Sequence, residues 1–197
     1  MNHWLFEQIN AFAQATPWLH APARFYAAYG VVLFGALLVA GWWIARRTAD
    51  VTRVAAAIAA GGATLLALAI NQPIVHAVNE ARPYTTLHHI LVLANRSPDP
   101  SFPSDHATMA GAVAVGLWIV NRRLAVIAAF AAVLMAFTRV YIAAHYPADV
   151  AAGLVLGGLV AVLTWLLVRR GLAHLLGVLA GTRLRPVVVT ASHPHLS

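Results

Sequence analysis

The chain has 197 residues, of which 61% are hydrophobic and only 10% charged, where a soluble domain carries roughly 25% charged residues; this is the composition of an integral membrane protein. Its formal net charge of +7 rests on 13 basic residues, all Arg, at the ends of apolar runs, where they set topology and meet anionic head groups, so nucleic acid is excluded as a partner. The lack of Cys excludes disulfides, thiolate metal sites and a thiol nucleophile.

At the start of the chain Trp4, Leu5, Ile9 and Phe12 recur at helical spacing with Asn2, Glu7, Gln8 and Asn10 between them. This pattern predicts an amphipathic helix at the membrane interface. The stretch lacks the basic start, continuous apolar run and small-residue cleavage site of a signal peptide. Apolar runs of about 20 residues cross a bilayer as helices, and such runs fall at about 26 to 46, 52 to 73, 122 to 143 and 147 to 169, with a shorter one at 105 to 120. The expected fold is therefore an all-α polytopic membrane helix bundle. It has about five transmembrane helices (five to six) plus the N-terminal amphipathic helix. Residues 171 to 181 are weakly apolar, and 182–197, with Pro186 and Pro194, read as a short mobile tail on a single domain of residues 1–181.

If the spans alternate, Arg46, Arg47, Arg53, Arg122, Arg123, Arg169, Arg170, Arg183 and Arg185 share one face, and Arg24, Arg82, Arg96 and Arg139 the other. Nine against four makes the first face cytoplasmic and the second periplasmic or outer. Trp42 and Trp43, near the cytoplasmic end of their span, fit an aromatic belt.

Three segments reach the outer face with polar residues that cost free energy in such surroundings and so mark a site. In the first, Pro83 disfavours the helical region for Arg82, which ends the preceding helix near there and leaves the guanidinium at its mouth. By itself an Arg-Pro at a span end is also what a snorkelling anchor looks like. In the second, Pro103-Ser104-Asp105-His106, Ser104 suits the N-cap of the next span. The free amides beyond it form an anion site at the positive end of the helix dipole, or else Ser104 is a simple cap with Asp105 complementing the dipole. His106 beside that terminus can donate a proton to a departing oxygen.

The third segment runs from Thr138-Arg139 through His145-Tyr146-Pro147 to Asp149. Pro147 suits the first helical position of the last span, which puts Asp149 in its first turn and His145 just before it. A carboxylate on one imidazole nitrogen fixes the tautomer and leaves the other free to attack phosphorus. Arg139 lies six residues before His145. A continuous helix would separate them, so the helix must end in between if they share a site; an Arg139–Asp149 ion pair is the structural alternative. Two guanidinium groups and a helix N-terminus can neutralise a phosphoryl-transfer transition state without a metal.

These residues resemble the signature of the type 2 phosphatidic acid phosphatase superfamily: Lys, six residues, Arg-Pro; then Pro-Ser-Gly-His; then Ser-Arg, five residues, His, three residues, Asp. The match is Arg82-Pro83, Pro103-Ser104-Asp105-His106 and Thr138-Arg139 to His145 to Asp149, within roughly residues 51 to 165. Asp105 in place of Gly, within Ser101-Phe102-Pro103-Ser104-Asp105-His106-Ala107-Thr108, is similar to the bacterial undecaprenyl diphosphate phosphatase subgroup, as are Asn71 and the region of His88, His89 and Asp99. Those two histidines equally suit a solvated loop. Val75 stands where the family has its Lys, so one phosphate contact is missing or comes from elsewhere, with His76, Asn79 and Glu80 nearby.

The resemblance implies that His145 is the nucleophile that becomes phosphohistidine, Asp149 its orienting partner and His106 the general acid and later base. It makes Arg82, Ser104 and Arg139, with Asp105 and Thr138, the substrate-binding set, with no metal and no cofactor. The implied activity is hydrolysis of undecaprenyl diphosphate to undecaprenyl phosphate and inorganic phosphate at the outer face of the cell's inner (plasma) membrane. Phosphatidic acid or phosphatidylglycerol phosphate is the alternative substrate, so the partners are an isoprenoid or glycerophospholipid phosphate and the bilayer itself. A transporter would instead place its polar residues in broken spans near the midplane.

Overall fold

The computed structural model describes residues 2–48 and 50–183, and these are helices joined by loops. Helix α1 is Asn2–Ala15, and a short 3-10 turn, Pro17–Leu19, leads into α2, His20–Arg47. There follow α3, Val51–Val78; the short α4, Pro83–Thr86; α5, Asp105–Val120; α6, Arg122–Tyr141; and α7, Pro147–Ala180. Residues 184–197 of the expected tail lie outside the described residues.

The boundaries follow from capping chemistry. Asp50 opens α3 by accepting from the amides of Thr52 and Arg53 at 2.9 and 3.3 Å, and Asn79, with φ of 50°, closes it in the left-handed region. Asn121 turns the chain from α5 into α6 in a single residue, accepting from Arg123 and Leu124 at 3.0 and 3.1 Å. Pro83 and Pro147 occupy the first positions of α4 and α7, where a missing N–H costs nothing.

Four helical segments, Pro17–Arg47, Val51–Thr86, Arg122–Tyr141 and Pro147–Ala180, are long and apolar enough to cross a bilayer, and the protein is a multi-pass membrane protein. The fifth expected span, α5, is shorter at 16 residues. It runs through the middle of the bundle against α3, α6 and α7. Ala110, Gly111, Ala112 and Val113 are all buried in succession, as expected of a helix with no polar face. Against α7 it has no space to spare. A Cβ on Gly153 would sit 2.7 Å from the Ser104 carbonyl, and one on Gly157 would overlap that of Thr108.

One expectation needs correction. The last helix does not stop near residue 169 but continues to Ala180, about 50 Å at 1.5 Å per residue. Leu176 is buried there as part of the main hydrophobic cluster, so tertiary packing carries the helix through a stretch of weak hydropathy. In α1, Phe6, Asn10 and Ala13 are buried against the protein, Phe12 lies half-exposed with its ring on Phe137 and Tyr141, and Trp4 and Leu5 are exposed, as an amphipathic interfacial helix requires. Asn10 is buried because its side chain pairs with both backbone groups of Leu91, donating to the carbonyl at 2.8 Å and accepting from the amide at 3.0 Å.

Candidate active site

At one end of the bundle, where α3 and α6 end and α5 and α7 begin, the three polar segments meet. The helix α6 stops after Tyr141, and Ala143 takes a left-handed φ of 62°. The amides of Ala144 and His145 both turn back to the Arg139 carbonyl, at 3.1 and 3.3 Å. This reversal carries His145 over the helix end onto Arg139. A continuous helix would have kept the two apart.

His145 is 3% exposed and held from both sides. Its Nδ1 lies 2.8 Å from the Ser101 carbonyl, an acceptor only, so Nδ1 carries the proton and donates it there. Nε2 then presents a lone pair. Arg82 Nη1 and Arg139 Nη2 point at it from 3.3 and 3.2 Å. Burial first, and then the two guanidinium charges, push the imidazole from its ordinary 6.5 down to about 4, against an opposing pull from Asp149. His145 is thus neutral at physiological pH.

Asp149 is fully buried, but its link to His145 is less direct than a simple pair. Its Oδ2 stands 3.5 Å from Nδ1, and that same oxygen accepts from the Ser101 hydroxyl and, at 2.8 Å, from the Tyr146 amide. Ser101 therefore touches both partners, its carbonyl on the His and its hydroxyl on the Asp. With His145 neutral its contact with Asp149 is not a charge pair, and among the described residues Arg139 makes no ion pair with Asp149.

Arg82 is fixed by loop backbone. Its Nε donates to the Asp99 carbonyl at 2.7 Å and its Nη1 to that of Ala144 at 3.1 Å. Pro83 starts α4 and keeps Arg82 extended, while α3 itself has already ended at Val78. Ser104 is the N-cap residue of α5, yet its hydroxyl makes no capping bond; buried Oγ, like buried Arg139 Nε, is left without a partner. An unspent donor in a protein interior is costly unless a ligand takes it up.

A cavity of about 350 Å³ opens onto Arg82, His106, Arg139 and His145, with Gln72, Val75 and His76 on its α3 side. His76 therefore shares the cavity with Val75, which fills the place of the family's Lys, whereas Asn79 and Glu80 line a separate cleft beside Arg82. The structure does not bring every expected residue into the group. Thr138 gives its hydroxyl to the Leu134 carbonyl at 2.7 Å, one turn back along α6. Asp105 reaches the cavity wall, but its Oδ1 accepts from Asn71 at 2.6 Å and Gln72 at 2.9 Å, which ties the start of α5 to α3. His88 and His89 are exposed in the loop and do not line the cavity. Among the described residues there is no group of three or more His, Cys, Asp or Glu placed to hold a metal ion.

The sequence model of the PAP2 superfamily matches residues 56–173. The chain belongs to the PAP2 superfamily. Over 155 residues this PAP2 protein is 30% identical to undecaprenyl-diphosphatase BcrC of Bacillus subtilis, a match that covers 79% of this chain and 78% of that one. The fold is shared with two solved structures. LpxE of Aquifex aeolicus superposes with a TM-score of 0.58 at 23% identity, over 83% of this chain and 93% of that one. A PAP2-type phosphatidylglycerolphosphate phosphatase of Bacillus subtilis gives 0.61 at 20% identity, over 86% and 88%.

Proposed function

We propose that this membrane lipid phosphatase removes the terminal phosphate of undecaprenyl diphosphate at the outer face of the inner membrane, residues 1–181 acting as one catalytic unit. The observation that carries this reading is the free Nε2 of a neutral, buried His145 flanked by two guanidinium groups. Positive charge beside an unprotonated nitrogen suits attack on an anionic phosphorus centre. The substrate assignment draws on the likeness to a named undecaprenyl-diphosphatase, and the sidedness on the excess of Arg at the far end of the bundle.

In the first step Nε2 of His145 attacks the terminal phosphorus and the bond to the bridging oxygen breaks. Protonated His106 gives its proton to that oxygen, so undecaprenyl phosphate leaves and phosphohistidine remains. Arg82, Arg139 and the Ser104 hydroxyl hold the equatorial oxygens, where charge accumulates. In the second step His106 takes a proton from water as the water oxygen attacks phosphorus. Inorganic phosphate departs, Nε2 regains its lone pair and His106 is again protonated. Asp149 and Ser101 keep the Nδ1 proton in place throughout.

The test is purified protein in detergent, assayed for phosphate release. His145→Ala abolishes turnover while the protein stays monodisperse, and Arg139→Ala lowers kcat by on the order of a hundredfold to a thousandfold. Quenching the wild type in alkaline denaturant traps a phosphoenzyme that is stable in alkali and lost on acidification, absent from the variant. Unchanged turnover by His145→Ala would refute the assignment, and faster turnover of phosphatidic acid than of undecaprenyl diphosphate would reverse the choice of substrate.

A further inference from the structure

A second cavity, of about 420 Å³, adjoins the first and shares Arg139 and Asn95 with it. Its other polar side chains are Arg24, near the start of α2, and Tyr29, and no carboxylate lines it. Arg24 is exposed, and among the described residues its guanidinium makes no hydrogen bond or ion pair. On the outward side the cavity is bounded by Phe25 and Tyr29, whose rings lie 5.0 Å apart and are 67% and 60% exposed. A cationic, acid-free pocket that opens past aromatic rings to the lipid side is built to take an anionic group attached to an apolar chain.

We propose that this cavity is a subsite for the lipid-bonded phosphate of a diphosphate, held by Arg24 and Asn95 with Arg139 shared between the two phosphates. The inference rests on the phosphatase reading above. When a terminal phosphate lies between Arg82, Arg139 and His145, the next phosphate is only one bridging oxygen away and needs a countercharge of its own. The other groove that meets the catalytic cavity suits an anion less well: it joins Val31, Leu68, Ala69 and Met109 to Gln72, His106 and Asp105, whose carboxylate repels an anion, whereas no carboxylate lines the Arg24 side. The Arg24 side supplies two guanidinium groups. Since His106 lines the catalytic cavity together with Arg139, a bridging oxygen beside Arg139 stays in the space that His106 faces. A phosphomonoester such as phosphatidic acid has no second phosphate, so Arg24 would separate the two substrate classes.

The experiment compares wild type, Arg24→Gln and Arg24→Lys in neutral detergent, with undecaprenyl diphosphate and phosphatidic acid as substrates. For the diphosphate, Arg24→Gln raises KM and lowers kcat/KM by about tenfold or more, the effect of losing one charge-assisted hydrogen bond. Arg24→Lys recovers part of that loss, and turnover of phosphatidic acid stays within about twofold of wild type. Equal loss on both substrates, which a general attraction to anionic lipid would produce, overturns the subsite; so does no loss on either. Failure of the wild type itself to release phosphate from the diphosphate would instead overturn the underlying substrate assignment. Arg24 lies outside the packed interior, so misfolding does not cloud the result, and the unchanged phosphatidic acid rate verifies this directly.

Discussion

In the body of the bundle α5 meets α7 through glycines whose missing side chains let backbone touch backbone, whereas at the polar end the same two helices meet through hydrogen bonds. Gly157 rests on the Thr108 carbonyl and Gly153 on that of Ser104. A turn further on, the Ser104 amide donates to the Asp149 carbonyl at 3.1 Å, and Asp149 in turn takes the Ser101 hydroxyl. The two modes are successive parts of one contact. Close packing, which needs no particular chemistry beyond small size, sets the distance between the helices, and at that distance the polar groups at their ends fall within hydrogen-bonding reach.

The sharpest way to break this relation is to add volume in the body. Gly157→Val places a side chain where the Thr108 backbone already is, and overpacking of this kind costs roughly 1–3 kcal/mol or more because backbone must shift. The expected result is a lower midpoint of thermal unfolding in detergent, with loss of phosphatase activity in whatever protein remains folded. A folded variant with full activity would show that the site does not depend on the helix spacing.

A smaller effect should follow from cutting the polar end alone. Ser101→Ala leaves the Ser101 carbonyl on His145 but removes the donor to Asp149, whose Oδ1 already has no partner. Loss of a hydrogen bond to a buried carboxylate predicts a fall in kcat of about tenfold to a hundredfold. KM should hold, because Ser101 does not line the cavity. Ser101→Thr, which retains a hydroxyl, should recover activity in part. If Ser101→Ala lowers thermal stability but leaves kcat as it was, Ser101 is a structural residue only.

The two regions also differed in how far the sequence revealed them. The spans were legible because hydropathy is local, and the starts of α5 and α7 were legible because Ser104 and Pro147 are residue types suited to a helix start. The end of α6 followed from requiring Arg139 and His145 to share a site, which the reversal at Ala143 satisfies. What escaped the sequence depends on contacts made across long separations. Ser101 reads as an ordinary loop residue until the loop folds onto His145, 44 positions later. Asp105 reads as a dipole partner or a ligand until Asn71 and Gln72 are seen to engage it. Thr138 carries a hydroxyl that suits a phosphate, but within a helix the nearest acceptor is the carbonyl one turn back. Arg24 was legible only as a charge to be counted for topology.

The smallest effect is also the most direct reading of the polar end. Burial and two neighbouring cations hold the His145 imidazole at about 4, below its ordinary 6.5. A depressed value means that the folded protein resists a proton which the unfolded chain accepts. Between about 6.5 and 4 the unfolded state is therefore the better proton binder, and His145 subtracts stability progressively as pH falls through that window. At neutral pH it subtracts nothing, and below about 4 both states are protonated and the loss stops growing. Histidine-selective 15N NMR of protein in detergent, with the His145 signal identified by its absence from His145→Ala, should show an unprotonated Nε2 well below pH 6. Arg82→Gln removes one of the two cations at Nε2 and should move the titration upward, toward the ordinary value. A wild-type midpoint near 6.5 would mean that water reaches the imidazole freely, and the polar end would then be an open surface, unlike the tightly packed body that supports it.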